Sequence, residues 1–420
     1  MKFQRPKGTN DIFGKEVFMW QMLENTIRST CKDFGLEEIR TPIFEYASLF
    51  QRGVGETSDI VQKEMFCFQD RGERQYCLKP ESTAGTARAY IENSLYSAVQ
   101  PTKLYYISPT FRDERNQAGR FKQFHQFGVE VFGSYNPSSD AEVISFAFEL
   151  LKRLNIKDVT LKLNTLGGNE CRKKYNELLK SFIETKISNL CEDCKSRYEK
   201  NPLRVLDCKN PVCQQNLQDA PKTIDTLDEE CKNHFETLKK YLQEMQIPFE
   251  VDTKIVRGLD YYTKTVFEFV CKSDKLGAQS TICGGGRYDN LIKQCGGQNT
   301  GAVGFGMGME RVIMLMQEQG LSFQNENRPI LYIGSTGEDG FIKAQKLGYN
   351  FRKKGIYVEY DVIKRSVKAQ LKYADKINAK YVVIIGDNEI QTGKINLKDM
   401  DKSFEKEINL DNLENEISNN

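Results

Sequence analysis

The stretch Phe111 to Phe124, FRDERNQAGRFKQF, sets Arg112, Arg115, Arg120 and Lys122 in a polar, glycine-containing turn between two strand signals. Cationic forks so crowded suit phosphate or carboxylate oxygens, although a solvated hairpin tip can share that composition. The strand that follows is more selective. Side chains alternate from Phe124 to Phe132, so His125, Phe127, Val129 and Val131 share one face, while Phe124, Gln126, Gly128, Glu130 and Phe132 share the other. The first face is core, and His125 reads as a packed core histidine. The second places an amide and a carboxylate on either side of a glycine, a recess with an acceptor at its floor and room for a ligand. Glu130 among apolar neighbours asks for a cationic or donor-rich partner, because a buried carboxylate is costly without one.

Two glycine-dominated segments, CGGGRYD from Cys283 to Asp289 and GFGMGMER from Gly304 to Arg311, bring backbone close to something and then present an arginine. Neither has the spacing of a Walker phosphate loop or of a dinucleotide fold. As a strand, the second would line one face with Gly304, Gly306 and Gly308 and leave a flat slot for a planar base, or else be a glycine-rich bend at a sheet edge. The stretch VRGLDYYT from Val256 to Thr263 adds an arginine and two tyrosines at a strand-to-turn junction. Cys191, Cys194, Cys208 and Cys213 read C-x2-C-x13-C-x4-C, close to the two-knuckle spacing of a zinc site. The same residues also read as small buried hydrophobes in a helical insertion.

The elements that must position these residues are legible as periodicities. Val17, Trp20, Leu23, Ile27, Cys31 and Phe34 make one face of an opening helix that Gly35 stops. From 38 to 132 the pattern is mostly strand-like (Thr41 to Tyr46, Tyr76 to Leu78, Leu104 to Ile107, Phe124 to Phe132) and predicts an antiparallel sheet. Glu142 to Leu154 predicts a helix and Val159 to Leu163 a strand. A polar helical insertion then spans about 168–246. Strands resume at Phe249 to Val256 and Thr265 to Val270, followed by a helix from Met309 to Glu318. After the polar linker Gly320 to Arg328, strand and helix alternate, which predicts a small α/β domain on a mainly parallel sheet, with a fraying tail after Asp411. The expected organisation is an α+β domain over 1–325 on a mainly antiparallel sheet and an α/β domain over 329–420.

The composition admits this and excludes several classes. The 420 residues are 39% hydrophobic and 28% charged, with 31 Gly and 11 Pro, which is globular rather than disordered or fibrous. A net charge of +2 means that contact with nucleic acid must come from local patches. No apolar run approaches a membrane span, Met1 to Gly14 lacks the apolar core of a signal peptide, and the twelve scattered Cys read as reduced; the expected location is the cytoplasm.

Together the stretches resemble the class II aminoacyl-tRNA synthetases, and within them the histidyl-tRNA synthetase family. Arg40 to Phe50 is similar to the dimer-forming motif 1, Phe111 to Phe132 to motif 2, and Gly304 to Arg311 to motif 3. RGLDYY (257–262) and GGGRYD (284–289) resemble the two histidine-specific signatures, and Lys7 to Asp11 and the terminal α/β domain fit as well. The resemblance covers essentially the whole chain. It implies ATP-dependent ligation of L-histidine to its tRNA through a histidyl-adenylate, with Mg2+ bridging the phosphates, in a homodimer with no membrane association. It implies an anticodon-binding role for 329–420.

By the same resemblance Arg112 and Arg257 meet the α-phosphate from opposite sides, Arg112 also holding the histidine carboxylate. Arg120 and Arg311 hold the outer phosphates, Glu114 meets the adenine edge and Phe124 its face. Glu81, Ser82 and Thr83 hold the α-amino group with Gln126, and Glu130, Tyr261 and Tyr262 surround the imidazole. Arg115 and Gln117 flank Asn116 in the loop that reads the extra 5' guanosine of the tRNA. Bacterial members usually have Gly at the position of Ser82 and Pro at that of Asn116, so fine tRNA discrimination is less defined than the chemistry. The alternative is the non-catalytic, histidine-sensing regulatory subunit of ATP phosphoribosyltransferase, whose members usually lose the motif arginines and the terminal domain, whereas Arg112, Arg257, Arg311 and 329–420 are all present. A threonine or proline enzyme is contradicted by RGLDYY.

Overall fold

Trp20, Leu23, Ile27 and Cys31, three or four residues apart, turn one stripe of helix α1 (Lys15–Asp33) inward, where all four are buried. In the computed structural model, which describes residues 2–418 except 55–59, 115–118, 207, 209, 256–258, 260, 274–280 and 322–327, that stripe lies against a large sheet. The chain divides into two units, Met1–Ser322 and Phe323–Asn420.

In the first unit α1 is followed by β1 (Glu37–Glu38), β2 (Phe44–Tyr46), α2 (Ala47–Val54), β3 (Cys67–Gln69), β4 (Gln75–Leu78) and α3 (Thr83–Glu92). Then come the long strands β5 (Thr102–Phe111) and β6 (Gln123–Phe132), α4 (Pro137–Arg153) and β7 (Val159–Thr165). The insertion supplies α5 (Asn169–Glu184), α6 (Glu192–Lys200), α7 (Pro211–Asn216) and α8 (Glu229–Glu244). The unit closes with β8 (Glu250–Val251), β9 (Thr263–Cys271), β10 (Thr281–Arg287), α9 (Leu291–Gln294), β11 (Ala302–Gly308) and α10 (Met309–Glu318).

Eight strands form one sheet in the order β1-β5-β6-β11-β10-β9-β7-β8, antiparallel except for the short parallel strands at the two edges. Phe127, Val129 and Val131 of β6 join Val303, Phe305 and Met307 of β11 on the face covered by α1, α4, α8 and α10. The alternation read from the sequence thus holds along β6. Four expectations do not hold. The strand signals of 38–132 divide between two sheets, β2-β4-β3 forming its own, with α2 and α3 between them. The strand expected over Phe249 to Val256 shrinks to Glu250–Val251 at a sheet edge. The insertion is not one body: Phe235, Leu238 and Leu242 of α8 belong to the main core, and only its middle carries a core of its own. Arg287, expected to be presented to a ligand, points into the protein.

Arg287 is 0% exposed, yet all three guanidinium nitrogens donate. Nε donates to Asp140 Oδ1 at 3.1 Å, Nη1 to the Ser134 carbonyl at 2.7 Å and Asp289 Oδ1 at 3.0 Å, and Nη2 to Asp140 Oδ2 at 2.8 Å and Ser139 Oγ at 2.9 Å. His234 Nε2, from α8, meets the same Asp140 Oδ2 at 3.1 Å. Burial works to raise the Asp140 carboxyl, but Arg287 and His234 hold it below its ordinary value.

The second unit runs β12 (Leu331–Ser335), α11 (Gly337–Lys353), β13 (Val358–Tyr360), α12 (Val367–Lys376), β14 (Tyr381–Ile385), α13 (Asp387–Thr392), β15 (Lys394–Asp399), β16 (Phe404–Asn409) and α14 (Leu413–Ser418). Its sheet is mixed rather than mainly parallel: β13-β12-β14 are parallel, and β14-β15-β16 antiparallel. Nor does the tail fray after Asp411, because Leu410, Leu413 and Ile417 are buried in this unit's core. Among the described residues no helix is long and apolar enough to cross a membrane.

Replacing Arg287 with Met is expected to destabilise the first unit by about 3–5 kcal/mol, because Asp140 is left buried with only part of its partner set. The single tryptophan, Trp20, lies in this unit, so its fluorescence during urea unfolding reads that loss directly. A midpoint unchanged from the parent would show that the pair is not needed for the fold.

Candidate active site

The other face of the eight-stranded sheet opens into a cleft of about 270 Å3, lined from β6, β10, β11, the β5–β6 connection and the start of α3. Arg112, Glu114, Arg120, Phe124 and Arg311 stand together in its lining. Arg120 Nη1 is 2.7 Å from Glu114 Oε2, and Arg112 Nη1 is 3.7 Å from Glu114 Oε1. Arg112 is further fixed by its Nε, which donates to the Pro80 carbonyl at 2.9 Å, and its guanidinium lies 5.3 Å over the Phe124 ring. Arg311 comes from the first turn of α10. Burial, and then the like charge of Arg120, lower its affinity for its proton. Cations held together in this way are stabilised by an anion between them.

Glu81 and Thr83 stand at the start of α3. The Glu81 carboxylate, 2% exposed, accepts the Thr83 and Ala84 backbone N–H groups at 2.7 and 2.9 Å, as a helix N-terminus allows. Even so, burial pushes its carboxyl above the ordinary value. Ser82 is buried beside them and does not line the cleft. Tyr261 and Tyr262 do line it, with ring centres 4.8 Å apart.

Gln126 and Glu130 share a face of β6, and glycines of β11 make the space they occupy. A Cβ on Gly304 would lie 1.9 Å from Glu130 Oε2, and one on Gly306 would lie 2.4 Å from Gln126 Nε2. What covers the glycine strand is therefore these two side chains, and the slot remains open toward Gly306 and Gly308. Gln126 Oε1 is buried without a hydrogen-bond partner, an acceptor aimed at a donor that the protein itself does not provide. Glu130 is fully buried and is not among the residues that line the cleft. Its donor-rich partners are the hydroxyls of Tyr106, at 3.1 Å, and Tyr288, with Thr83 beside it. Burial pushes its carboxyl up to about 8, against the pull of these hydroxyls.

Tyr106 and Tyr288 were not singled out from the sequence. Tyr106 lies directly across from Gly128 in the β5–β6 register, a pairing that no local pattern reveals, and Tyr288 follows the buried Arg287. Glu310 was also missed: it accepts the His125 backbone N–H at 2.8 Å and meets the ring Nδ1 at 2.9 Å, tying α10 to β6. His125 is outside the cleft lining but is not a core histidine: its side chain is 30% exposed and its ring meets Trp20 in a T-shaped contact. Arg257, Arg115 and Gln117, with Asn116, lie outside the described residues.

A mainly antiparallel sheet that carries a cationic strand-loop-strand beside a glycine strand ending in a helix-borne arginine is the catalytic architecture of the class II aminoacyl-tRNA synthetases. Residues 8–312 match the family model for histidyl-tRNA synthetase, and 330–420 that for the anticodon binding domain. The histidine–tRNA ligase of Acetivibrio thermocellus is 49% identical over 413 residues, 98% of this chain and 99% of that protein. The crystal structure of apo S. aureus histidyl-tRNA synthetase is similar with a TM-score of 0.85 and 36% identity, covering 99% of this chain and 100% of that one. A Bacillus halodurans C structure described as an ATP phosphoribosyltransferase regulatory subunit/histidyl-tRNA synthetase has a TM-score of 0.65 at 22% identity, covering 91% and 98%, a likeness of fold alone. The chain belongs to the histidyl-tRNA synthetase family.

The buried Glu130 makes a pH test possible. Below its ordinary value of 4.5 the carboxyl holds its proton whether the chain is folded or unfolded, and between there and about 8 only the folded chain keeps it. The folded state then binds more protons, so this contribution to stability is lost as pH rises. Wild type should lose roughly 2–4 kcal/mol relative to Glu130→Gln between about pH 5 and about pH 9, read by urea unfolding. A gap that stays level would mean that Glu130 is ionised in the folded protein throughout.

Proposed function

We propose that ATP and histidine meet in this cleft, and that the described side chains divide the work between phosphate, carboxylate and imidazole. The overall reaction is the ATP-dependent ligation of L-histidine to its tRNA through a histidyl-adenylate, releasing pyrophosphate and then AMP, a step of protein biosynthesis. The observation that carries this reading is the convergence in one cavity of Arg112, Arg120 and Arg311 with the acceptors Glu81 and Gln126.

As the histidine carboxylate attacks the α-phosphorus, negative charge builds on the phosphoryl oxygens, and fixed cations aimed there supply most of the acceleration. Arg112 bridges the carboxylate and the α-phosphate, and Arg257 approaches from the opposite side. Arg120 and Arg311 take the outer phosphates, which relieves their mutual repulsion. Glu114 meets the adenine edge, and the Phe124 face takes the ring in place of, or together with, the Arg112 guanidinium that covers it. Mg2+ arrives on ATP. Among the described residues the cleft holds no cluster of three carboxylates, which suits an ion held largely by phosphates and water.

Glu81 pairs with the α-ammonium of histidine, assisted by Thr83 and by the unpartnered oxygen of Gln126, while Ser82 contributes backbone. Glu130, with Tyr261 and Tyr262, surrounds the imidazole, and a donor from the substrate favours its charged form. Arg115 and Gln117 reach the tRNA acceptor end, and the second unit takes the anticodon. The cytoplasm is where this reaction belongs. The four grouped cysteines lie in the insertion and take no part in it.

Pyrophosphate exchange with each amino acid in turn tests the reading: histidine alone should support it, and no exchange with any amino acid would favour the regulatory-subunit alternative. A site that hydrogen-bonds its substrate can discriminate by about 10^4–10^5 without editing, because a buried acceptor is left unpaired by the wrong one. Glu130→Ala should therefore weaken histidine activation by roughly 2–5 kcal/mol in kcat/KM. Near-normal kcat/KM would move the floor of the pocket to Gln126 and Thr83.

The enzyme acts as a C2 homodimer through the motif 1 region. Phe44, Tyr46 and Phe68 on the β2-β4-β3 sheet are 51, 50 and 43% exposed, an apolar surface that a second copy would cover. Sedimentation at micromolar concentration should give twice the chain mass, and Phe44→Asp should shift it toward the monomer; a wild-type protein that sediments only as a monomer removes the dimer.

A further inference from the structure

Cys191, Cys194, Cys208 and Cys213 are far from contiguous in the chain, yet their four sulfurs all lie within 4.8 Å of one another. Both pairs sit at turn-to-helix junctions. Cys191 is the N-cap of α6 and Cys194 falls in its first turn, while Cys213 falls in the first turn of α7. The wider spacing of the second pair has a local cause: Asn210 caps α7 through the Val212 N–H, and Pro211 takes the first helical position, where no N–H is needed.

The spacing excludes a covalent bridge, and the convergence of all four sulfurs favours a metal over plain packing. Cys191 Sγ and Cys208 Sγ are 3.8 Å apart, whereas a disulfide requires ~2.05 Å. Four sulfurs at ~2.3 Å from a tetrahedral zinc are ~3.8 Å from one another. Backbone donors also point at the sulfurs: the Cys191 N–H to Cys213 Sγ at 3.2 Å and the Asn210 N–H to Cys208 Sγ at 3.5 Å. Cysteines serving only as small hydrophobes have no reason to converge on one point.

We propose that these four cysteines bind one zinc ion as thiolates, forming a closed structural site in the insertion. The ion sheds its waters, the thiols that are protonated release their protons to solvent, and four sulfur–zinc bonds form with no change of oxidation state. With every tetrahedral position taken by sulfur, the ion has no open place for water or substrate. Its work is mechanical. Cys194, Cys208 and Cys213 share a small core with Tyr175, Leu179 and Ile183 of α5, too little apolar surface for a lobe to hold itself together alone. The zinc thus ties the segment from Cys191 to Cys213 into one lobe, which packs on α5 through that small core. At its other end α5 reaches the cleft, where Arg172 Nη1 donates to the Tyr262 carbonyl at 3.0 Å.

The full-length protein, purified without chelator and freed of any metal-binding tag, should contain about one zinc per chain by elemental analysis. Replacing the ion with Co2+ should give the intense charge-transfer and visible bands of a tetrahedral tetrathiolate, and zinc should shield these four of the twelve cysteines from alkylation. Cys208→Ser should lose the zinc, and Cys67→Ser, at an exposed cysteine of β3, should keep it. If Cys208→Ser fails to fold, the cobalt spectrum and alkylation map of the wild type decide. Protein that contains no zinc and takes none up after reduction, an octahedral cobalt spectrum, or iron in place of zinc would each overturn the proposal.

Discussion

The buried pair of Arg287 and Asp140 is the constraint on which the arrangement of the first unit rests. Taking two charges out of water costs several kcal/mol for each ion, and that cost is offset only where every donor and acceptor is met. Here the partners come from the end of β10, the start of α4 and the middle of α8. These elements therefore have one relative position that satisfies the pair. Because Tyr288 is the next residue, the same pair determines where its hydroxyl stands, and hence how Glu130 is held.

From that anchor the cleft acquires two clusters of opposite character. In one, Arg112, Arg120 and Arg311 crowd together with Glu114 as their shared anion, a cationic group arranged before any substrate charge develops. In the other, acids are stored where water does not reach, Glu81 on backbone N–H groups and Glu130 on tyrosine hydroxyls. The stored acids favour a cationic or hydrogen-bond-donating ligand, and the crowded arginines an anionic one. An amino acid and a nucleoside triphosphate supply both.

The insertion follows a different economy of interactions. Its last helix is part of the main core, whereas its middle rests on a small apolar cluster and four converging sulfurs. The proposed zinc would close such a lobe without a larger core, and α5 links it to the cleft.

By itself the sequence determined what local period and residue type can carry: the inward stripe of α1, the two faces of β6, the helix from Met309 to Glu318, and the stretches that place the chain in its family. The need of Glu130 for donors was also legible, since a carboxylate among apolar neighbours must find them somewhere. Which donors those are was decided by tertiary structure. Tyr106 reaches Glu130 through strand register, and Tyr288 through a buried ion pair whose members are 147 residues apart. The inward turn of Arg287, the antiparallel β15–β16 pair and the buried tail at Leu413 and Ile417 belong to the same class. Periodicity says which face of an element is apolar, but register and long-range pairing depend on residues distant in the chain, whose encounter no local window contains.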